Sequence, residues 1–196
     1  MKKLSILLAT LVFAVSSQAA VVSFYDLRGS TVQNALHFLN EPAVASGGTG
    51  GEIGLGIALD DNGDADPNTN TLLLIGRVGW GSSQGFTDLS SAANNSHLHG
   101  PTAGNNGGGG FTQTAGVNVN LSRSSSLATG GQFTNNPLYT AAQVAELNNG
   151  RHYINIHTTN NGGGEIRAFL VLVPEPASAA LLGVAGLVVL GRRRRS

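Results

Sequence analysis

The sequence predicts a mainly β protein: a Greek-key-like antiparallel β-sandwich with one short crossover helix, flanked by an apolar targeting helix at each end. Three observations predict it. Apolar residues alternate with small or polar ones over several short runs, the period of half-buried strands. Clusters of Gly, Asn and Asp separate those runs and read as turns. One stretch alone carries the cap signals of a helix.

The chain opens with Lys2-Lys3, an apolar run from Leu4 to Val15 and the small residues Ser16-Ser17-Gln18-Ala19-Ala20. This order is that of a secretory signal peptide over residues 1–20. The working domain then covers residues 21–173. It holds five arginines against ten acidic residues, a net charge of −5, although the whole chain sums to zero. It has no lysine and no cysteine. Phosphate backbones are bound by clusters of Lys and Arg, so this composition excludes a nucleic-acid binder.

The strands follow in order. Ile53, Leu55, Ile57 and Leu59 alternate with glycine and alanine. Thr71 to Val78 is more continuously apolar and reads as a buried strand. Val117, Val119 and Leu121 alternate with Asn118 and Asn120. Ile154 and Ile156 are expected to point inward, leaving Tyr153, Asn155 and His157 on the outer face. Ile166, Ala168 and Leu170 supply the inward face of the last strand. Asp61-Asn62-Gly63, Gly104 to Gly110 and Asn160 to Gly164 are the turns between them. The single helix begins at Thr140, where Thr140 and Gln143 form a capping box, and ends at Gly150.

The tail runs Pro174-Glu175-Pro176, an apolar stretch from Ala177 to Gly191, then Arg192, Arg193, Arg194 and Arg195. As a helix that stretch spans ~22 Å, less than the ~30 Å of a bilayer core. The arginines keep the C-terminus cytoplasmic and the domain outside. A plain tail anchor is one reading. The order of parts also resembles the PEP-CTERM sorting signal. That resemblance implies a Gram-negative source, transient inner-membrane anchoring of residues 174–196 and cleavage by an exosortase-type enzyme. It further implies a place at the cell envelope, the outer surface or an extracellular polysaccharide matrix.

Three stretches of the domain resemble the CHRD (chordin-type) family: His97-Leu98-His99-Gly100-Pro101, Arg151-His152-Tyr153-Ile154-Asn155-Ile156-His157-Thr158, and Gly163-Gly164-Glu165-Ile166-Arg167. Ala168-Phe169 departs from the family's usual Gly-Gln. The resemblance implies an extracellular β-sandwich with a structural or binding role and no enzymatic activity.

Two groups of residues invite chemistry. His97 and His99 share a face of a strand by parity, and His157 and Glu165 are expected on the same outer face. Three imidazoles and a carboxylate suit a transition metal such as Zn or Cu, with redox activity as one extension. The alternative is that these side chains hydrogen-bond strands to loops. Asp60, Asn62, Asp64 and Asp66 place oxygens at alternate positions, as a Ca²⁺ loop would. The EF-hand pattern fails there, because Ala65 and Thr71 stand where Gly and Glu are needed, and an acidic hairpin loop is the other reading. His37 and His152 have no partner pattern and read as surface or strand histidines. No nucleophile, base and acid are fixed together by any motif.

Overall fold

Alternation, turns and one cap do produce a mainly β, antiparallel protein with one helix. The computed structural model describes residues 22–29, 37–64, 66–103, 112–124 and 128–174. The signal segment, the Gly104–Gly110 run and the tail beyond Pro174 lie outside the described residues. Among the described residues no helix is long and apolar enough to cross a membrane.

Among the described residues twelve strands form in chain order: β1 (Val22–Gly29), β2 (His37–Asn40), β3 (Gly50–Glu52), β4 (Ile57–Asp60), β5 (Asn70–Leu73), β6 (Val78–Trp80), β7 (Ala93–His99), β8 (Val117–Asn120), β9 (Gly131–Gln132), β10 (Leu138–Tyr139), β11 (Tyr153–Thr158) and β12 (Ile166–Leu172). The helix α1 (Ala141–Asn148) lies between β10 and β11. All pairings are antiparallel. One run of strands is β10-β5-β4-β1-β12-β11-β7-β8. At the start of β12 the strand β2 also pairs, and from it a second run branches as β2-β3-β6-β9.

Two expected strands are broken by turns. Ile53 to Leu59 is interrupted at Gly54 and Gly56, both with positive φ, and Leu55 in the turn is 81% exposed. Thr71 to Val78 is interrupted at Gly76, which has φ 67°, and Ile75 is half exposed. Apolar periodicity therefore ran through residues whose backbone turns, since glycine reaches these angles without strain. The second break has a purpose in the topology. It carries the chain from β5 in one run to β6 in the other.

The core gathers side chains from both runs. Leu27, Phe38, Ile57, Leu72, Val78, Trp80, Leu98, Ile154, Ile156, Ile166 and Leu170 are buried in one contiguous cluster. Leu147 and Val144 pack α1 against it. The helix starts and stops as its sequence directs. The Thr140 hydroxyl accepts from the Gln143 N–H, and the Gln143 side chain accepts from the Thr140 N–H. At the other end Gly150, with φ 65°, lets its N–H reach the Leu147 carbonyl and the Arg151 N–H reach that of Glu146. That pair of bonds turns the chain directly into β11.

β11 departs from the expectation of a half-exposed strand: all six of its residues are buried. Its core face is Ile154 and Ile156, as parity requires. Its other face is covered too. The segment 113–116 lies over it, with the Ala115 N–H donating to the Tyr153 hydroxyl and the Gln113 carbonyl accepting from Arg167. Ile156 is fully buried. Truncating it to Ala removes three carbons from a packed core and is expected to destabilise the protein by about 2–5 kcal/mol, read from the midpoint of chemical unfolding.

Candidate metal centre

The register of β7, β11 and β12 decides which side chains meet. Opposite residues on the non-core face are His99–Tyr153–Phe169 in one row and His97–Asn155–Arg167 in the next. His157 follows, opposite Asn95. Parity alone placed the histidines on one face. Direct pairing of β7 with β11 makes them neighbours.

The three rings form a compact cluster. His97 and His157 have centroids 4.8 Å apart, and His97 and His99 5.4 Å. One ligand nitrogen from each of His97, His99 and His157 lies within 4.8 Å of the other two. All three side chains are buried, with at most 9% exposure.

Hydrogen bonds orient the rings. His157 Nδ1 is 2.9 Å from the Gly162 carbonyl, and His99 Nδ1 is 3.0 Å from that of Ala115. A carbonyl only accepts, so both Nδ1 atoms carry the proton and both Nε2 atoms keep a lone pair. His97 Nδ1 is 3.0 Å from His157 Nε2 and must donate to it. His99 Nε2 is buried with no hydrogen-bond partner. Shift the His97 proton to its Nε2 and three imidazole lone pairs stand together. Backbone carbonyls holding Nδ1–H are the usual outer support of metal-ligating histidines. His99 is further fixed by stacking on Tyr153, 4.9 Å between centroids and 8° between planes.

The electrostatics favour the neutral form of His97 and His99. Burial, then the neighbouring His157, His99 and Arg123, push His97 down to about 4. Burial also lowers His99, against the stabilising bond to Ala115. Neutral imidazole is the form that binds metal.

Glu165 does not join the histidines. It lies just before β12, after Gly164 with φ 119°, and its side chain is fully buried. One oxygen accepts from the Gly48 and Ser90 N–H groups, the other from the Ser90 and Thr158 hydroxyls and the Asn161 amide. Burial disfavours its charge, but these donors outweigh that and hold its carboxyl below the usual value. Arg167 is likewise fully buried, 3.3 Å from Glu41, with its guanidinium 5.0 Å over the Tyr153 ring. Glu41 also accepts from Asn155.

His152 is not a surface histidine. It is fully buried, between the Tyr139 hydroxyl at 3.2 Å and the Asn118 amide at 3.5 Å. Burial, then Arg151, lower it to about 4. Its ring packs on Gly100, where an added Cβ would lie 2.1 Å from the ring. The Gly of the His-x-His-Gly-Pro stretch is thus required by a side chain 52 residues away, a pairing no local pattern shows. The side chain of His37 lies outside the described residues.

In the acidic loop the carboxylates serve the backbone. Asp60 accepts from Asn62 N–H, Asp61 from Gly63 N–H, Asp64 from Asp66 N–H and Asp66 from Asn68 N–H. These are Asx turns, the local way Asp stabilises a loop. Asp61, Asp64 and Asp66 border a depression beside α1, and Asp60 and Asn62 do not line it. Among the described residues the three histidines are the one group whose ligand atoms lie close enough together that they could hold a metal ion.

The CHRD domain family matches residues 42–170. The chain belongs to the CHRD domain family. No curated protein matches it, and no solved structure does. CHRD domains are non-enzymatic and typically extracellular, consistent with a binding domain and with export. The match spans β3 to β12 almost completely, so the histidine cluster lies inside the CHRD region.

Two outcomes follow for acid. Folding lowers His152 from 6.5 to about 4. The unfolded chain therefore takes up the proton first, and stability is lost as pH falls from 6.5 towards 4, by on the order of 3 kcal/mol for this one buried group. Urea unfolding at a series of pH values reads this slope. Glu165 acts lower. Its stabilising charge is intact above the unfolded value near 4.5 and is lost as pH drops through its lower folded value. Glu165→Gln is expected to cost about 2 kcal/mol or more at pH 7 and to flatten the profile below pH 4.5.

Proposed function

We propose that this protein is an exported, non-enzymatic binding domain of the cell surface or extracellular matrix, and that its binding element is a transition-metal centre on His97, His99 and His157. One observation carries the metal reading: three ligand nitrogens within 4.8 Å of one another, with two of the rings held by carbonyls on the far nitrogen. Imidazole suits zinc and copper, and either ion takes three such ligands with a position left open. Binding is favoured over hydrolysis because neither nearby carboxylate is free to act as a base. Glu165 is saturated with donors and Glu41 is paired with Arg167.

Titration of Zn²⁺ or Cu²⁺ into the purified protein, followed by calorimetry, tests the centre. Wild type is expected to bind one equivalent, and His97→Ala/His99→Ala to lose affinity by at least a hundredfold. Equal affinity in both would leave the histidines a purely structural role. The pH dependence has a stated sign. A protonated imidazole cannot coordinate, and His97 resists protonation down to about 4. Affinity is expected to fall as pH falls, with the part of the loss that comes from His97 confined to the approach to that lower value.

The location rests on the sequence. The signal segment at 1–20 directs export. The order Pro174, Glu175, Pro176, apolar run and Arg192–Arg195 supports handling by an exosortase-type enzyme, with the tail held briefly in the inner membrane. The matrix polysaccharide is then the partner at hand. Intact-mass measurement on protein from its native envelope is expected to show a chain starting near Ala19–Val22 and lacking the four arginines. A mature species that retains them would point to a plain membrane anchor.

A further inference from the structure

We infer that the open position of this metal centre takes an external carboxylate, and that Asn94 and Asn95 read hydroxyls beside it, the chemistry of a sugar acid. The inference rests on the metal reading above and specifies the ligand of that same site.

The cluster has an inside and an outside. His97 and His157 line an open depression of about 420 Å³ together with Asn94, Asn95 and Gly162. His99 does not line it, and its Nε2 is buried behind them. An ion held by the three rings has protein on the His99 side. Its remaining position faces the depression.

Charge then selects the ligand. Three neutral imidazoles leave a divalent ion with its full double charge. The carboxylates close enough to offset it are committed elsewhere, Glu165 to the Gly48 and Ser90 loops and Glu41 to Arg167 and Asn155. The groups that His97 senses electrostatically, His157, His99 and Arg123, add positive charge or none. Arg123 itself is held by neutral atoms, the Ser96 hydroxyl and the Asn94 carbonyl. The centre therefore draws an anionic oxygen from solution, and a carboxylate is a standard oxygen ligand of zinc.

The rim selects what carries the carboxylate. Asn94 and Asn95 are exposed carboxamides, each with two N–H donors and an oxygen, that of Asn95 already accepting from the Ser96 N–H. They match hydroxyls that themselves donate and accept. Among the described residues neither Lys nor Arg lines the depression, as a phosphate-rich ligand would want, and its only rings are the two imidazoles that would hold the ion.

Cobalt(II) in place of zinc gives the readout, because its visible absorption responds to any change of ligand. The purified full-length protein is loaded with Co²⁺ and titrated with glucuronate, acetate or glucose. Glucuronate is expected to change the spectrum at a concentration at least tenfold below that of acetate, and glucose to leave it unchanged. Asn94→Ala/Asn95→Ala is expected to bring glucuronate to the level of acetate while cobalt binding holds. Cobalt that binds but gives no response to glucuronate, or an equal response to glucuronate and acetate, would overturn the inference and leave the metal centre standing. Cobalt that fails to bind, or binds equally well after His97→Ala/His99→Ala, would overturn the metal centre itself.

Discussion

The burial of Arg167 is the constraint on which the polar half of this structure depends. A guanidinium with no exposure is tolerated only where its charge and its N–H groups are met. Glu41 meets the charge, the Gln113 carbonyl accepts one N–H, and the Tyr153 ring covers the planar face. Each of those contacts fixes something further. Tyr153 stacks on His99, Glu41 takes the Asn155 amide, and the segment around Gln113 and Ala115 is drawn over β11. The histidine cluster therefore shares its face of the sheet with this ion pair, with Tyr153 and Asn155 between them.

Glu165 does a parallel job one turn away. Its carboxylate joins three stretches distant in sequence: the Gly48 loop, the Ser90 loop and the end of β11 at Thr158. The Asn160–Gly164 turn is thereby pinned, and with it the Gly162 carbonyl that orients His157. Glu165 thus acts on His157 indirectly, by holding the backbone that aims its ring, while the partly buried Glu41 acts through the side chains of Arg167 and Asn155. A charged group with several fixed donors is a stiff support, because losing any one donor leaves the buried charge less well met.

How much of this was legible from the residues depended on the range of the interaction. Strand parity is local, and it placed His97, His99 and His157 on one face correctly. The capping box at Thr140 and the stop at Gly150 are local, and both form as written. The mainly β, antiparallel class also follows from local alternation. Glu165 was expected beside His157 by the same parity, but it stands before the strand begins, where parity has no force, and its partners are 75 and 117 residues away in sequence. His152 carried no sign of its burial, because its neighbours Tyr139, Asn118 and Gly100 come from three separate segments. The covering of β11 by residues 113–116 was invisible for the same reason. The breaks at Gly54–Gly56 and Gly76 were missed because apolar periodicity was allowed to outweigh glycine.

The place of β1 in the sheet has a consequence for the order of events in the life of the chain. The first described strand lies between β4 and β12, with Leu27 opposite Leu170 and Tyr25 opposite Leu172. Nearly the whole domain separates the two partners. A ribosome delivers β1 early and β12 last, so the seam that closes the sheet has no second half until synthesis is almost complete. Pairings of such long sequence separation are also slow to form. The architecture thus lets β1 pair early along one edge, with β4, and leaves its other edge open until the last strand of the domain has been made.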